Sequence, residues 1–178
     1  MSSANSASNV FGGAARRTPK TLVVGLGNPI LGDDGIGWRV ADAVLARCPD
    51  VEVDCLALGG LSLMERLVGY ERVIIIDSIQ IRNGKIGQVY SFSLEELPDL
   101  SSGHTTAAHD TSLQTALKMG RAMGAKLPDE LYVVGVEAER VYDFSEELSP
   151  QVAAAIPVAA QTVVELLDGQ QTVNDLGE

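Results

Sequence analysis

The chain has 178 residues, 46% of them apolar and 21% charged, with 24 acidic against 13 basic side chains and a formal net charge of −11. This length and composition bound a single domain with one sizeable core. The acidic balance disfavours nucleic acid and anionic membrane surfaces, since both are held by clustered Lys and Arg, and leaves a basic protein segment or a metal cation as compatible partners.

Residues 1–19 are mostly Ser, Ala, Asn and Gly with few apolar anchors, and read as a disordered leader. Arg16-Arg17 suggests a twin-arginine export signal, but only a short apolar run separates it from Gly25, Asn28 and Pro29, so that reading fails. No stretch reads as a membrane span. The folded domain is expected over 20–169, with a flexible tail at 170–178. Cys48 and Cys55 lack the close spacing of zinc ligands or of a disulfide framework, so reduced thiols in a cytoplasmic protein are the simpler reading.

In chain order, "TLVVGL" (21–26) is the first run without polar alternation, and suits a strand buried on both faces. Residues 36–47 follow as an amphipathic helix with Ile36, Val40, Val44 and Leu45 towards one face. "VEVDCLA" (51–57) alternates more and is placed nearer a sheet edge. "RVIIID" (72–77) and "LYVVGV" (131–136) are further buried strands. Between them "IRNGKIGQVYSFS" (81–93) carries an Asn83-Gly84 turn signal and the strand formers Val89, Tyr90 and Phe92, which predict a local antiparallel excursion. Over 111–123 "TSLQ" matches a capping box with Thr111 at the cap and Gln114 three residues on, followed by Leu113, Leu117 and Met123 as an apolar face. The last helix is capped by Ser149, takes Pro150 at its first position and stops at Gly169, with Pro157 inside it as an expected kink. The resulting order, β-α-β-α-β-β-α-β-α, predicts an α/β three-layer sandwich with a mostly parallel twisted central sheet, of phosphorylase/hydrolase-like type.

Ligands of open parallel sheets gather beyond the carboxyl ends of the strands. The first such end carries "GLGNPILGDDGIG" (25–37), with Asp33 and Asp34 adjacent in a glycine-rich turn. The third buried run ends at Asp77, and "TTAAHDTSL" places His109 just before a later helix. Three potential metal ligands thus converge on one rim from three separate parts of the chain. Each has a structural alternative. One aspartate of the pair can cap the helix starting near Gly35. Asp77 can bond the first amides of the following loop. His109, like His104 in the same loop, can be purely structural. Phosphate fits poorly: Gly25-x-Gly27 is followed by Ile30 where a dinucleotide fingerprint needs glycine, no G-K-[ST] follows, and two carboxylates repel an anion. The loop suits a cation.

"GLGNPILGDDGIG", "GGLSLMERLVGYERVIIIDSI" (59–79), "AAHDTSL" (107–113) and "VVGVEAERV" (133–141), in this order and spacing, resemble the [NiFe] hydrogenase maturation endopeptidases over most of residues 20–168. The resemblance implies an aspartyl-type endopeptidase that trims the C-terminal extension of a hydrogenase large-subunit precursor already loaded with nickel. It implies Asp34, Asp77 and His109 as the catalytic, metal-engaging trio, with Asp33 preceding the first ligand. The nickel arrives with the precursor, and other divalent ions can substitute. Some members carry Glu where Asp34 stands, and the shorter side chain implies a slightly deeper ion. Gly59 and Gly60 are implied to let substrate backbone come close. Leu58 departs from the acidic residue common before that pair, which puts any contact made by that acid in doubt. Two carboxylates and an imidazole leave coordination positions open. The ion then either polarises the scissile carbonyl or only positions the peptide while a carboxylate acts as base.

Three other readings are weighed. Peptidyl-tRNA hydrolases share the strand followed by "GLGNPG", but Ile30 replaces that glycine and the acidic balance disfavours tRNA. A non-catalytic nickel carrier would use the same three ligands. A nucleotide-binding module conflicts with the broken glycine pattern. Specificity is expected in the loops 95–108 and 137–148, and a monomer is the expected state.

Overall fold

The centre of the sheet is built from runs of apolar, largely β-branched residues that have no polar alternation to expose. In the computed structural model, which describes residues 18–94, 108–139 and 141–169 (for 108–112 the backbone alone), three such runs form the middle of a five-stranded sheet. Its strands are β1 (Thr21–Leu26), β2 (Glu52–Leu56), β3 (Arg72–Ile79), β4 (Val89–Ser93) and β5 (Glu130–Glu137). The order across the sheet is β2-β1-β3-β5-β4. All neighbours are parallel except β4, which runs antiparallel to β5. β2 lies at one edge, as its alternation predicts. The excursion after Asn83 does not fold back on β3: β4 joins β5 instead, and Asn83 takes φ 65° in the turn that permits it.

The helices α1 (Ile36–Arg47), α2 (Gly60–Arg66), α3 (Ala108–Ala122) and α4 (Pro150–Leu167) cover both faces. Successive strand residues point to opposite faces, and the core divides accordingly. Val23, Ile74, Ile76, Val134 and Val136 pack with α1 and α4. Leu22, Val24, Val73, Ile75 and Val133 pack with Leu63, Met64 and Leu67 beside α2 and with Leu113 and Leu117 of α3. This is the predicted three-layer sandwich.

Several local expectations are corrected. Leu45 is 42% exposed, and Ala41 joins Ile36, Val40 and Val44 on the buried stripe of α1. Helix α3 starts at Ala108, so Thr111 lies inside its first turn and is not its cap. Met123 is 84% exposed because it lies past the helix end, where the chain turns through Gly124 at φ 82°. Ser149 sits at the N-cap of α4 but makes no capping bond within that helix. The helix runs unbroken through Pro157 to Leu167, and the chain leaves it through Gly169 at φ 78°. At 18 residues and mean hydropathy 1.3, α4 is long and apolar enough to cross a membrane, contrary to the sequence reading. In this fold it serves the core, burying Val152, Ala155, Ala159, Ala160, Val163 and Leu166. The leader over 1–17, the tail over 170–178, His104 and the loop 95–107 lie outside the described residues.

Candidate functional site

The glycine-rich segment passes from β1 into a short 3-10 turn, Gly32–Gly35, and then directly into α1. Close backbone contact requires its glycines. A Cβ on Gly37 would overlap the carbonyl oxygens of Leu26 and Ile76, so α1 starts pressed against the ends of β1 and β3. A Cβ on Gly27, whose φ is 116°, would overlap the carbonyl of Asp34. The glycines therefore draw Asp34 onto the carboxyl rim of the sheet.

The 3-10 turn separates the two aspartates. With three residues per turn, successive side chains diverge by roughly 120°. Asp33 turns inward and is fully buried. Its Oδ1 accepts the Ser149 N–H at 2.6 Å and its Oδ2 accepts the Ser149 hydroxyl at 3.0 Å. It therefore caps the start of α4, where a carboxylate also meets the positive helix end. The expected cap at Gly35 is absent: that N-cap has no side-chain bond. Backbone bonds Gly32 N–H to Ser145 O (2.7 Å) and Ser145 N–H to Ile30 O (3.1 Å) complete the junction between the two loops.

Asp34 turns the other way. Its Oδ2 accepts the Asn28 N–H at 2.6 Å, and its Oδ1 accepts the Ser78 hydroxyl at 3.3 Å. Each oxygen has two lone pairs, so one hydrogen bond apiece leaves acceptor capacity for a cation. Ser78 also donates its N–H to Asp77 Oδ1 at 2.8 Å. Asp77 thus binds the next amide within β3 and not one of the following loop, and one residue bonds to both Asp34 and Asp77.

Asp77 is buried, opposite Gly135 on β5. By strand alternation it projects towards the layer of α2 and α3. His109 belongs to the first turn of α3 in that layer, and its side chain lies outside those described. Among the described residues no three His, Cys, Asp or Glu side chains form a metal-holding group. Gly59 and Gly60 follow β2 on the same rim. Gly60 takes φ 55° where α2 begins, and Leu58 is partly exposed beside it. The end of β2 touches the glycine-rich loop through Gly27 N–H to Leu56 O at 3.1 Å.

Two residues here escaped the sequence reading. Ser78 follows a strand-ending aspartate, and only its tertiary contact reveals its role. Glu137 ends β5 opposite Ile79, and both its carboxylate oxygens lie near 3 Å from the Ile81 N–H (3.1 and 3.0 Å). Burial pushes its carboxyl pKa up, and the Ile81 bond partly offsets this. The sequence signal was an acid interrupting an apolar strand end. Cys48 and Cys55 are free, half-buried thiols.

The family model described as HycI, hydrogenase maturation protease, matches residues 39–166. The chain belongs to the hydrogenase maturation protease family. It is 30% identical over 151 residues to the hydrogenase 2 maturation protease of Escherichia coli (strain K12), covering 83% of this chain and 90% of that one. It is 26% identical over 152 residues to the hydrogenase expression/formation protein HupD of Rhizobium leguminosarum bv. viciae, covering 84% and 74%. Among solved structures, the hydrogenase maturating endopeptidase HybD from E. coli superposes with a TM-score of 0.71 at 29% identity, covering 84% of this chain and 93% of that one. The [NiFe] hydrogenase maturation protease HybD from Thermococcus kodakarensis gives 0.67 at 27%, covering 83% and 99%. This protease is a peptide hydrolase of that family, and its fold is theirs.

Proposed function

We propose that this protease removes the C-terminal extension of a [NiFe] hydrogenase large-subunit precursor after nickel insertion. The observation that carries the reading is Ser78 joining Asp34 to Asp77 on the carboxyl rim of a parallel sheet, in a chain of this family. In the proposal the substrate brings the nickel, and Asp34, Asp77 and His109 engage it. Hard carboxylate oxygens with an imidazole suit a borderline divalent ion, and Asp34 keeps acceptor capacity on both oxygens.

The ion, when present, polarises nearby oxygen ligands. The chain's own contribution is orientation. The Asn28 amide and the Ser78 hydroxyl fix the Asp34 carboxylate, and the Ser78 amide fixes Asp77. Gly59 and Gly60 leave room for substrate backbone on the same rim. The proposed setting is the cytoplasm, with the protease acting as a monomer on the precursor.

The test is incubation of purified protease with nickel-loaded precursor, read by intact mass. The expected result is loss of the C-terminal tail, abolished by Asp77→Ala. Full activity of Asp77→Ala removes the reading. Nickel transfer without mass loss identifies a carrier instead.

A further inference from the structure

We infer that Ser78 is a positioning residue, whose hydroxyl holds the Asp34 carboxylate in the orientation that presents it, with Asp77, to a divalent cation. The inference rests on the assignment of Asp34 and Asp77 to the cation site and adds to it a determinant from β3.

The strand pattern makes Ser78 unusual. Ile74 and Ile76 occupy the same face of β3 two and four residues earlier, and both are fully buried against α1 and α4. Its cross-strand neighbour is Val136, also fully buried in that cluster. The apolar row ends at Ser78, where the strand reaches the rim that carries Asp34. Ser78 itself is only partly buried at the strand end, and its hydroxyl meets Asp34 Oδ1 at 3.3 Å.

This bond has a geometric consequence. A carboxylate held by one donor can still rotate about its terminal torsion, which is soft. Asp34 has donors on both oxygens, from the Asn28 amide and from Ser78, so its plane is fixed. The Asn28 donor belongs to the same loop as Asp34, whereas Ser78 belongs to the strand that carries Asp77. Ser78 therefore ties the loop carboxylate to the strand carboxylate, and its own N–H orients the latter at 2.8 Å. Residues that orient ligands in this way typically change metal affinity or activity by about 10- to 100-fold when removed.

The experiment uses the full chain with Ser78→Thr, Ser78→Val and Ser78→Ala, and with Asp34→Asn as reference. Thr and Val have nearly the same shape and suit a strand, but only Thr keeps the hydroxyl. The readouts are nickel(II) affinity by titration calorimetry with the metal alone, kcat and KM on nickel-loaded precursor, and the urea midpoint. Ser78→Val and Ser78→Ala are expected to weaken nickel(II) binding and lower kcat by about tenfold, while Ser78→Thr restores both. A purely structural role would move the urea midpoint and not separate Thr from Val. Val equal to Thr in affinity and kcat, with Asp34→Asn defective, overturns the inference. Asp34→Asn with unchanged affinity and cleavage overturns the underlying site assignment instead.

Discussion

The carboxylate of Asp33 accepts both the backbone N–H and the hydroxyl of Ser149, 116 residues later in the chain. The buried aspartate of the Asp33-Asp34 pair is therefore a structural tie to α4, while its neighbour turns to the Asn28 amide and the Ser78 hydroxyl.

Asp33→Ala removes the acceptor for two donors and leaves Ser149 without its carboxylate. Hydrogen bonds to charged groups contribute about 1.5–3 kcal/mol each, and unsatisfied buried donors add to the loss. The expected destabilisation is about 3 kcal/mol, which lowers Tm by about 6–12 °C for a chain of this size. Thermal denaturation checks it. Asp34→Asn is expected to leave Tm nearly unchanged while abolishing cleavage, so the two variants separate the adjacent residues.

Gly37→Ala places a methyl group on the backbone carbonyls of two strands, Leu26 and Ile76. Neither can rotate away as a side chain would. Overpacking of this kind costs about 1–3 kcal/mol, and the displacement carries the start of α1 and hence the preceding Asp34. A lowered urea midpoint together with reduced kcat is expected; a variant stable and fully active would show that α1 can slide freely.

Glu137 gives the protein a pH signature. Burial raises its folded-state pKa above the unfolded value, so the native state binds the proton more tightly. Its contribution is fully present below the unfolded pKa and is lost as pH rises through the folded pKa. Glu137→Gln keeps an acceptor for the Ile81 N–H and never ionises. Its stability relative to the parent is therefore expected to rise between pH 4.5 and pH 8. Urea midpoints measured across that range check the sign, and a constant difference refutes it.

Phe144 is 87% exposed and adjoins Ser145, which is bonded to the loop leading to Asp34. An exposed ring contributes little to folding, and surface changes usually stay within about 0.5 kcal/mol. Phe144→Ser is expected to preserve the urea midpoint and kcat while raising KM for the precursor several-fold. An unchanged KM would remove this loop from substrate contact.

The order of strands and helices was legible because buried parallel strands need uninterrupted β-branched runs, whereas Glu52–Leu56 and Val89–Ser93 alternate and lie at the two edges. Side-chain facing was less legible where neighbours compete. Leu45 lies about 100° beyond Val44 on the helix, past the edge of the stripe that Ile36, Val40, Ala41 and Val44 bury. The capping box at Thr111 was a valid local pattern overridden by a helix that begins three residues earlier. Asp33 and Asp34 are chemically identical in the sequence. Their division of labour depends on the 3-10 turn and on Ser149, which no local pattern reports. Ser78 and Glu137 likewise act through partners that only the folded sheet brings near.

The Asp33–Ser149 tie also bears on biosynthesis. A ribosome releases Asp33 long before Ser149 exists, so the turn bearing Asp34 lacks its final anchor until most of the polypeptide has been made. A nascent chain stopped before residue 149 would carry the aspartate pair without that distant anchor.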